Sequence, residues 1–99
     1  MVVVLAKIKA VPEHADEVAG HLRDMVGWVT DNEAATLTYC CNRSQTDPAE
    51  FVFFERYTDL GAFQAHSQSA RFGELVGKLQ GKLAGAPEMV MLDEVAAKL

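Results

Sequence analysis

The chain has few of the features that mark membrane, secreted or nucleic-acid-binding proteins. No run approaches the roughly 20 apolar residues that a membrane span needs. The nine lysines and arginines are scattered singly among 14 acidic residues, with a net charge of −5, so the basic stripe of a nucleic-acid-binding protein is missing. The N-terminus has neither the basic segment nor the cleavage site of a signal peptide. We therefore expect a cytoplasmic protein with no membrane and no nucleic-acid partner.

Cysteine is also scarce, because the chain has only Cys40 and Cys41. Neighbouring residues on a strand point to opposite faces, so these two thiols cannot easily bridge each other or bind one metal ion together. A reducing compartment suits both as free thiols. We expect ordinary strand residues rather than a reactive thiol, since a free cysteine usually behaves as a small hydrophobic side chain.

One group of possible metal ligands lies on the first predicted helix. His14, Glu17 and His21 share a helix face. The spacing of the two histidines is not a usual zinc pattern, and a solvated helix face explains all three residues. We predict no metal site.

What the chain does have is a large share of apolar residues for its size. We expect residues 1–99 to form a single domain, and such a small domain buries only about 60–65% of the surface of its unfolded chain. Yet 49% of the residues are hydrophobic, at the upper end of an ordinary range of roughly 45–50%. A second copy covering an apolar surface explains this, so the composition predicts a homodimer.

The hydrophobic pattern predicts four strands and three helices. Residues 2–10 and 51–57 carry apolar side chains on both faces, as in a strand that is covered on two sides. Apolar residues over 13–31 recur at the spacing of one buried helical stripe. Asp59 and Ser69 are suitable N-caps for two further helices. The predicted order is strand 2–10, helix 13–31, strand 35–43, strand 51–57, helix 60–66, a helix after Ser69 whose apolar stripe reaches Leu83, and strand 89–95.

This order defines a fold class. A β-α-β-β-α-β sequence, with the second helix broken in two, is typical of ferredoxin-like α+β folds. The helices then cover one face of an antiparallel sheet. Because the other face keeps apolar residues, we expect two copies to pack sheet to sheet.

The third strand and the helices after it carry a recognisable pattern, which consists of Asp47-Pro48, Phe51, Glu55, Tyr57, Asp59, Ala62-Phe63, His66, Ser69 and Arg71-Phe72. This pattern resembles the antibiotic biosynthesis monooxygenase family, including its quinol monooxygenase members. The first and last strands resemble that family too, so the resemblance covers nearly the whole chain. It implies a dimeric α+β barrel with a pocket in each subunit between sheet and helices.

The resemblance also implies a reaction. Many members are thought to oxygenate electron-rich aromatics without metal, haem or flavin, because a deprotonated quinol or phenol can itself give an electron to dioxygen. We therefore expect a cofactor-independent monooxygenase whose partners are a small aromatic substrate and dioxygen. Two alternatives remain open, namely an isomerase or other enzyme that processes a small oxygenated metabolite, and a non-enzymatic dimeric module that binds a ligand. The identity of the substrate cannot be read from the sequence.

A haem-degrading branch shares this fold but differs at its characteristic positions. That branch carries Asn on the first strand, Trp on the helix after the third strand, and His on the next helix. By alignment, Lys7, His66 and Leu75 stand at those places here. We therefore do not expect haem degradation.

The resemblance points to His66 as the catalytic candidate, because it matches the family's histidine and imidazole titrates near neutral pH. A histidine satisfied within the helix packing is the alternative. Tyr57 and Glu55, on one face of the third strand, are substrate-binding candidates. A buried Glu55 needs a partner, and the alternative is an ion pair with a lysine or arginine.

Lys7 faces the pocket by the same alignment. It could steady a phenolate or pair with Glu55, and the alternative is an exposed lysine at a strand end. The remaining substrate-binding candidates are apolar wall residues, a type that more often belongs simply to the core: Phe53, Phe63, Phe72, Trp28 and Tyr39.

Overall fold

The computed structural model describes residues 1–98 and contains one four-stranded sheet. The strands are β1 (Val2–Lys9), β2 (Thr36–Arg43), β3 (Glu50–Tyr57) and β4 (Glu88–Asp93). Their order is β2-β3-β1-β4, and every neighbouring pair is antiparallel. A 3₁₀ turn (Pro12–His14) leads into helix α1 (Ala15–Asn32), and helices α2 (Leu60–Ser67) and α3 (Ala70–Leu79) follow β3. The predicted ferredoxin-like α+β fold is confirmed.

Helix α1 packs on the sheet through the stripe that its sequence predicts. Val18, Leu22, Met25 and Val29 are buried and belong to one core cluster with Phe51 on β3. Each of these side chains contributes about 1.5–3 kcal/mol when fully removed from water. No helix within residues 1–98 is long and apolar enough to cross a bilayer.

The two short helices begin at the predicted caps. The Asp59 carboxylate accepts a hydrogen bond from the backbone N–H of Ala62 at 2.8 Å, and the Ser69 hydroxyl accepts one from the N–H of Phe72 at 3.1 Å. The same Ser69 hydroxyl donates to the carbonyl oxygen of His66 at 2.9 Å. The junction between α2 and α3 is therefore tied to the last turn of α2.

Helix α3 ends earlier than its apolar spacing predicts. The helix stops at Leu79, and Gly81 adopts a positive φ of 75°. Leu83 instead forms an isolated bridge with Ala10, at the end of the first strand. The prediction that the helical stripe reaches Leu83 is wrong. Leu83 lies beyond the helix and pairs with the first strand instead.

The sheet has two different faces. On the helix side, Val4, Phe53 and Tyr57 are buried. On the other side Leu5, Phe54, Val90 and Leu92, which we call the outer sheet face, are 37%, 38%, 51% and 41% exposed. This outer sheet face is apolar and uncovered in a single chain.

The backbone at Gly81 gives a test of how α3 ends. Gly81→Ala should lower the free energy of unfolding by about 1–2 kcal/mol, because a residue with a Cβ is strained at positive φ. Gly85→Ala is the matched control, since it lies in the same loop and its new Cβ would also meet nothing within 4 Å. Urea denaturation of both variants measures the difference, and equal effects would contradict this account.

Candidate active site

A cavity of about 370 Å³ lies between the helix side of the sheet and helices α2 and α3. This volume is within the range of roughly 300–1,000 Å³ typical of small-molecule sites. Most of its lining is apolar, and its titratable residues, Tyr39, Glu55 and His66, come from β2, β3 and α2. Ser67 and Gln80 are the other polar residues of the lining. The arrangement suits a mostly hydrophobic ligand with a polar group.

Six of the nine predicted site residues line this cavity, namely Phe53, Glu55, Phe63, His66, Phe72 and Tyr39. Tyr57 lies directly behind them, with its ring 5.4 Å from that of Phe63 and 5.7 Å from that of His66. Four elements, β2, β3, α2 and α3, thus place these side chains together. Their roles stay predictions, since only their positions are given by the structure.

Lys7 and Trp28 are not part of the cavity wall. Lys7 alternates with Ala6 and Ile8, which do line the cavity, so it must point to the opposite face of β1. There its ammonium group lies 3.9 Å from Glu50. The prediction that Lys7 faces the pocket and could pair with Glu55 is wrong. Trp28 packs against the core cluster from α1.

His66 is buried, with 3% of its surface exposed. The rings of Tyr39 and Phe72 pack against the imidazole at 4.9 and 5.3 Å between centroids. Nδ1 lies 2.9 and 3.1 Å from the two carboxylate oxygens of Glu33. Because carboxylate oxygens only accept, Nδ1 carries the proton of this hydrogen bond.

Glu33 was missed by the sequence analysis. It is the C-cap of α1 and also accepts a hydrogen bond from the Thr36 hydroxyl at 2.7 Å. The only signal in the sequence is that a carboxylate at the C-terminal end of a helix opposes the helix dipole. That signal does not reveal which residue it contacts, because His66 is 33 residues away.

Glu55 has a hydroxyl group as its partner rather than a cation. The Tyr57 hydroxyl donates to Glu55 Oε1 at 2.6 Å, and Glu55 forms no ion pair within residues 1–98, contrary to the alternative considered from the sequence. Burial raises the pKa of Glu55 to about 7, with a further increase from the charge of Glu33, while the hydrogen bond from Tyr57 opposes the shift. This carboxyl group can therefore exchange a proton near neutral pH.

The two tyrosines of the site stay protonated. Burial, followed by the charge of Glu55, raises the pKa of both Tyr39 and Tyr57 well above the ordinary value. At neutral pH their hydroxyls are consequently hydrogen-bond donors and not bases.

Most of the remaining cavity wall is apolar. Its residues were predicted to belong to the core or were given no role by the sequence analysis. Leu75, Val76 and Leu79 are part of the predicted stripe of α3, so their apolar spacing is explained by a cavity as well as by core packing. The other lining residues that sequence analysis did not identify are Ala6, Ile8, Leu22, Ser67, Gln80, Gly81, Leu83, Pro87 and Met89.

The two cysteines lie outside the cavity wall, and both are free thiols. Burial raises the pKa of Cys41 to about 11, with a smaller contribution from Cys40. Because the thiolate is the reactive form, Cys41 is not activated as a nucleophile.

The topology and the cavity together define a ferredoxin-like α+β protein with an apolar cavity between its sheet and its helices. The family model described as antibiotic biosynthesis monooxygenase matches residues 1–78. The chain belongs to the antibiotic biosynthesis monooxygenase family.

Solved structures are similar over almost the whole chain. A candidate antibiotic biosynthesis monooxygenase of Caulobacter crescentus CB15 has a TM-score of 0.91 and 28% identity, covering 96% of this chain and 90% of its own. A second structure, named as an antibiotic biosynthesis monooxygenase, has a TM-score of 0.88 and 30% identity and covers 97% and 100%. PA3566 from Pseudomonas aeruginosa shares the fold, with a TM-score of 0.87, 24% identity and coverage of 96% and 94%. No curated protein matches the chain in sequence.

The raised pKa of Glu55 predicts a pH dependence of stability. Between the ordinary value of 4.5 and about 7, the native state binds more protons at Glu55 than the unfolded state does. Stability from this group is therefore fully present below pH 4.5 and is lost as the pH rises through 7. Urea unfolding of the native protein should show a loss on the order of 2–3 kcal/mol relative to Glu55→Gln across this window.

Glu50→Gln removes a carboxylate from the opposite face of the same strand and serves as the control. Its unfolding should follow that of the native protein across this window. If the native protein and Glu55→Gln show parallel pH profiles, Glu55 is not the titrating group.

Proposed function

We propose that this protein is a cofactor-independent monooxygenase that oxidises a small quinol-like or phenolic aromatic with dioxygen. The observation that carries the proposal is a buried histidine at an apolar cavity, with Nδ1 bonded to a carboxylate. Nε2 forms no hydrogen bond within residues 1–98 and is not sealed off by protein atoms. It is the nitrogen that can accept a proton from a bound substrate.

The walls suit an aromatic ring. Phe53, Phe63 and Phe72 line the cavity, and aromatic side chains favour offset or edge-to-face contacts with a bound ring. Such apolar surroundings exclude water, which would otherwise compete for the substrate hydroxyl. Tyr39 is a neutral donor at the same cavity and is available to a substrate oxygen.

The reaction that we propose begins with transfer of the phenolic proton to His66 Nε2. The phenolate gives one electron to dioxygen, and the resulting phenoxyl radical and superoxide combine at a ring carbon that carries hydrogen. Protonated His66 returns its proton to the peroxide, and the hydroperoxide loses water to leave a carbonyl. One oxygen atom enters the product and the other becomes water, so a quinol yields a hydroxyquinone. The substrate supplies all the electrons.

We also propose that the protein is a homodimer, packed through the outer sheet face as a dimeric α+β barrel. Leu5, Phe54, Val90 and Leu92 form an apolar area that a single chain leaves exposed. Ion pairs lie on the same face at either end, namely Lys7 with Glu50 at 3.9 Å and Arg56 with Glu94 at 2.8 Å. A second copy is the simplest cover for such a face.

The free thiols support a cytoplasmic location.

The homodimer can be tested with a charge on the outer sheet face. Leu5→Asp should shift the protein from dimer to monomer in analytical ultracentrifugation, because an unpaired carboxylate in an apolar interface is costly. Leu60→Asp is the control, since Leu60 is 52% exposed on α2 and away from this face. A native protein that sediments as a monomer would refute the proposal.

The reaction can be tested by oxygen uptake with a panel of quinols and phenols. We expect uptake with the native protein and a loss of about 100-fold or more in kcat for His66→Ala, since a general base contributes about 10²–10⁴-fold. His21→Ala, a histidine on α1 outside the cavity, should keep full activity. Absence of uptake with every compound would reject the monooxygenase, and turnover without oxygen would favour the isomerase alternative.

A further inference from the structure

We propose that Glu33 is the positioning residue of His66, which holds the imidazole with its proton on Nδ1 and leaves Nε2 free toward the substrate. The inference rests on the proposed role of His66 as the base. In this assignment Glu33 acts only through His66 and contacts no reacting atom. Glu33 thereby adds the C-terminal end of α1 to the site.

The geometry allows one tautomer. Both carboxylate oxygens of Glu33 lie within 3.1 Å of Nδ1, and neither can donate when the group is ionised. A neutral His66 therefore has its proton on Nδ1 and an unprotonated Nε2. Without this acceptor, the ring could carry its proton on either nitrogen, and one of the two forms cannot accept a proton from the substrate at Nε2.

Helix α1, which Glu33 caps, does not by itself stabilise the Glu33 carboxylate. Its backbone N–H bonds to the carbonyl oxygen of Val29 at 2.9 Å, as expected at a helix end. The helix dipole disfavours a carboxylate at this end. Two donors hold it instead, the Thr36 hydroxyl at 2.7 Å and His66 Nδ1. A carboxylate that is kept where the helix disfavours it indicates a function at that place.

Proton transfer creates a charge that the surrounding groups must stabilise. The imidazole is enclosed by the rings of Tyr39, Tyr57 and Phe72, and an unpaired imidazolium there would be costly. The two tyrosines are neutral donors and cannot neutralise it. Glu33, in direct contact, stabilises the imidazolium and so favours transfer from the substrate.

Two other charged groups lie near the cluster. Glu55 is near Tyr39 and bonds to Tyr57, and Arg71 approaches Tyr39 from α3 with one buried guanidinium nitrogen that has no partner within residues 1–98. Neither forms a hydrogen bond or ion pair with His66. Glu33 is thus the direct acceptor for this ring among the residues that the structure describes.

The assignment is tested by ¹⁵N NMR of the His66 ring in the native protein and in Glu33→Ala and Glu33→Gln. The native ring should show a protonated Nδ1 and an unprotonated Nε2 at a pH where it is neutral. Glu33→Ala should shift the population toward the other tautomer, whereas Glu33→Gln, whose amide oxygen still accepts, should retain part of the native signature. This readout needs no substrate, so it decides on Glu33 even if the proposed reaction fails.

Kinetics provide the second readout if quinol oxidation is observed. Glu33→Ala should lower kcat about 10- to 100-fold, a part of the roughly 10²–10⁴-fold available from a general base, with little change in KM. Asp31→Asn removes a charge from the same helix end without contact to His66 and should leave kcat unchanged. Thr36→Val, which frees one oxygen of Glu33, should have a smaller effect of the same kind.

The outcomes separate the two proposals. An inactive native protein that nevertheless shows the Glu33-dependent tautomer supports the positioning role and rejects the monooxygenase. An active protein in which Glu33→Ala changes neither the tautomer nor kcat overturns the role of Glu33 and leaves that of His66 intact. If Glu33→Ala does not fold, Glu33→Gln and Thr36→Val provide the same comparison.

Discussion

The alternation of side chains along the strands is the constraint on which this structure depends. Each residue on β1 and β3 points to one of two faces, and the two faces have different tasks. The helix side holds the core, the cavity and Glu55, whereas the outer side exposes Leu5 and Phe54. A single-residue shift in register would exchange these sets.

The same constraint accounts for the accuracy of the sequence analysis. Apolar periodicity and the caps Asp59 and Ser69 are local signals, so they identified the helices and strands to within a few residues. The end of α3 was not predicted, because Leu83 continues the helical spacing but bonds to Ala10. Periodicity alone cannot distinguish a helical position from a later contact with a strand.

Site residues could be predicted only where a single position of the family pattern corresponds to a single residue of this chain. His66, Glu55 and four of the five aromatic wall candidates lie at the cavity, and Trp28 does not. Lys7 was assigned to the wrong face of β1, although it alternates with the apolar residues Ala6 and Ile8 in the sequence and must therefore point away from them. Glu33 was missed for another reason. It faces His66 only after α1 and α2 pack on the same side of the sheet, and no local signal carries that contact.

The last strand has a consequence for how the protein must be handled. All six residues of β4 are exposed, including Met89, Val90, Met91 and Leu92, and the strand is at the edge of the sheet. A long, apolar strand with a free backbone edge is a template on which other chains can add. A chain whose β4 stays uncovered is therefore open to edge-to-edge aggregation, and this risk rises with protein concentration.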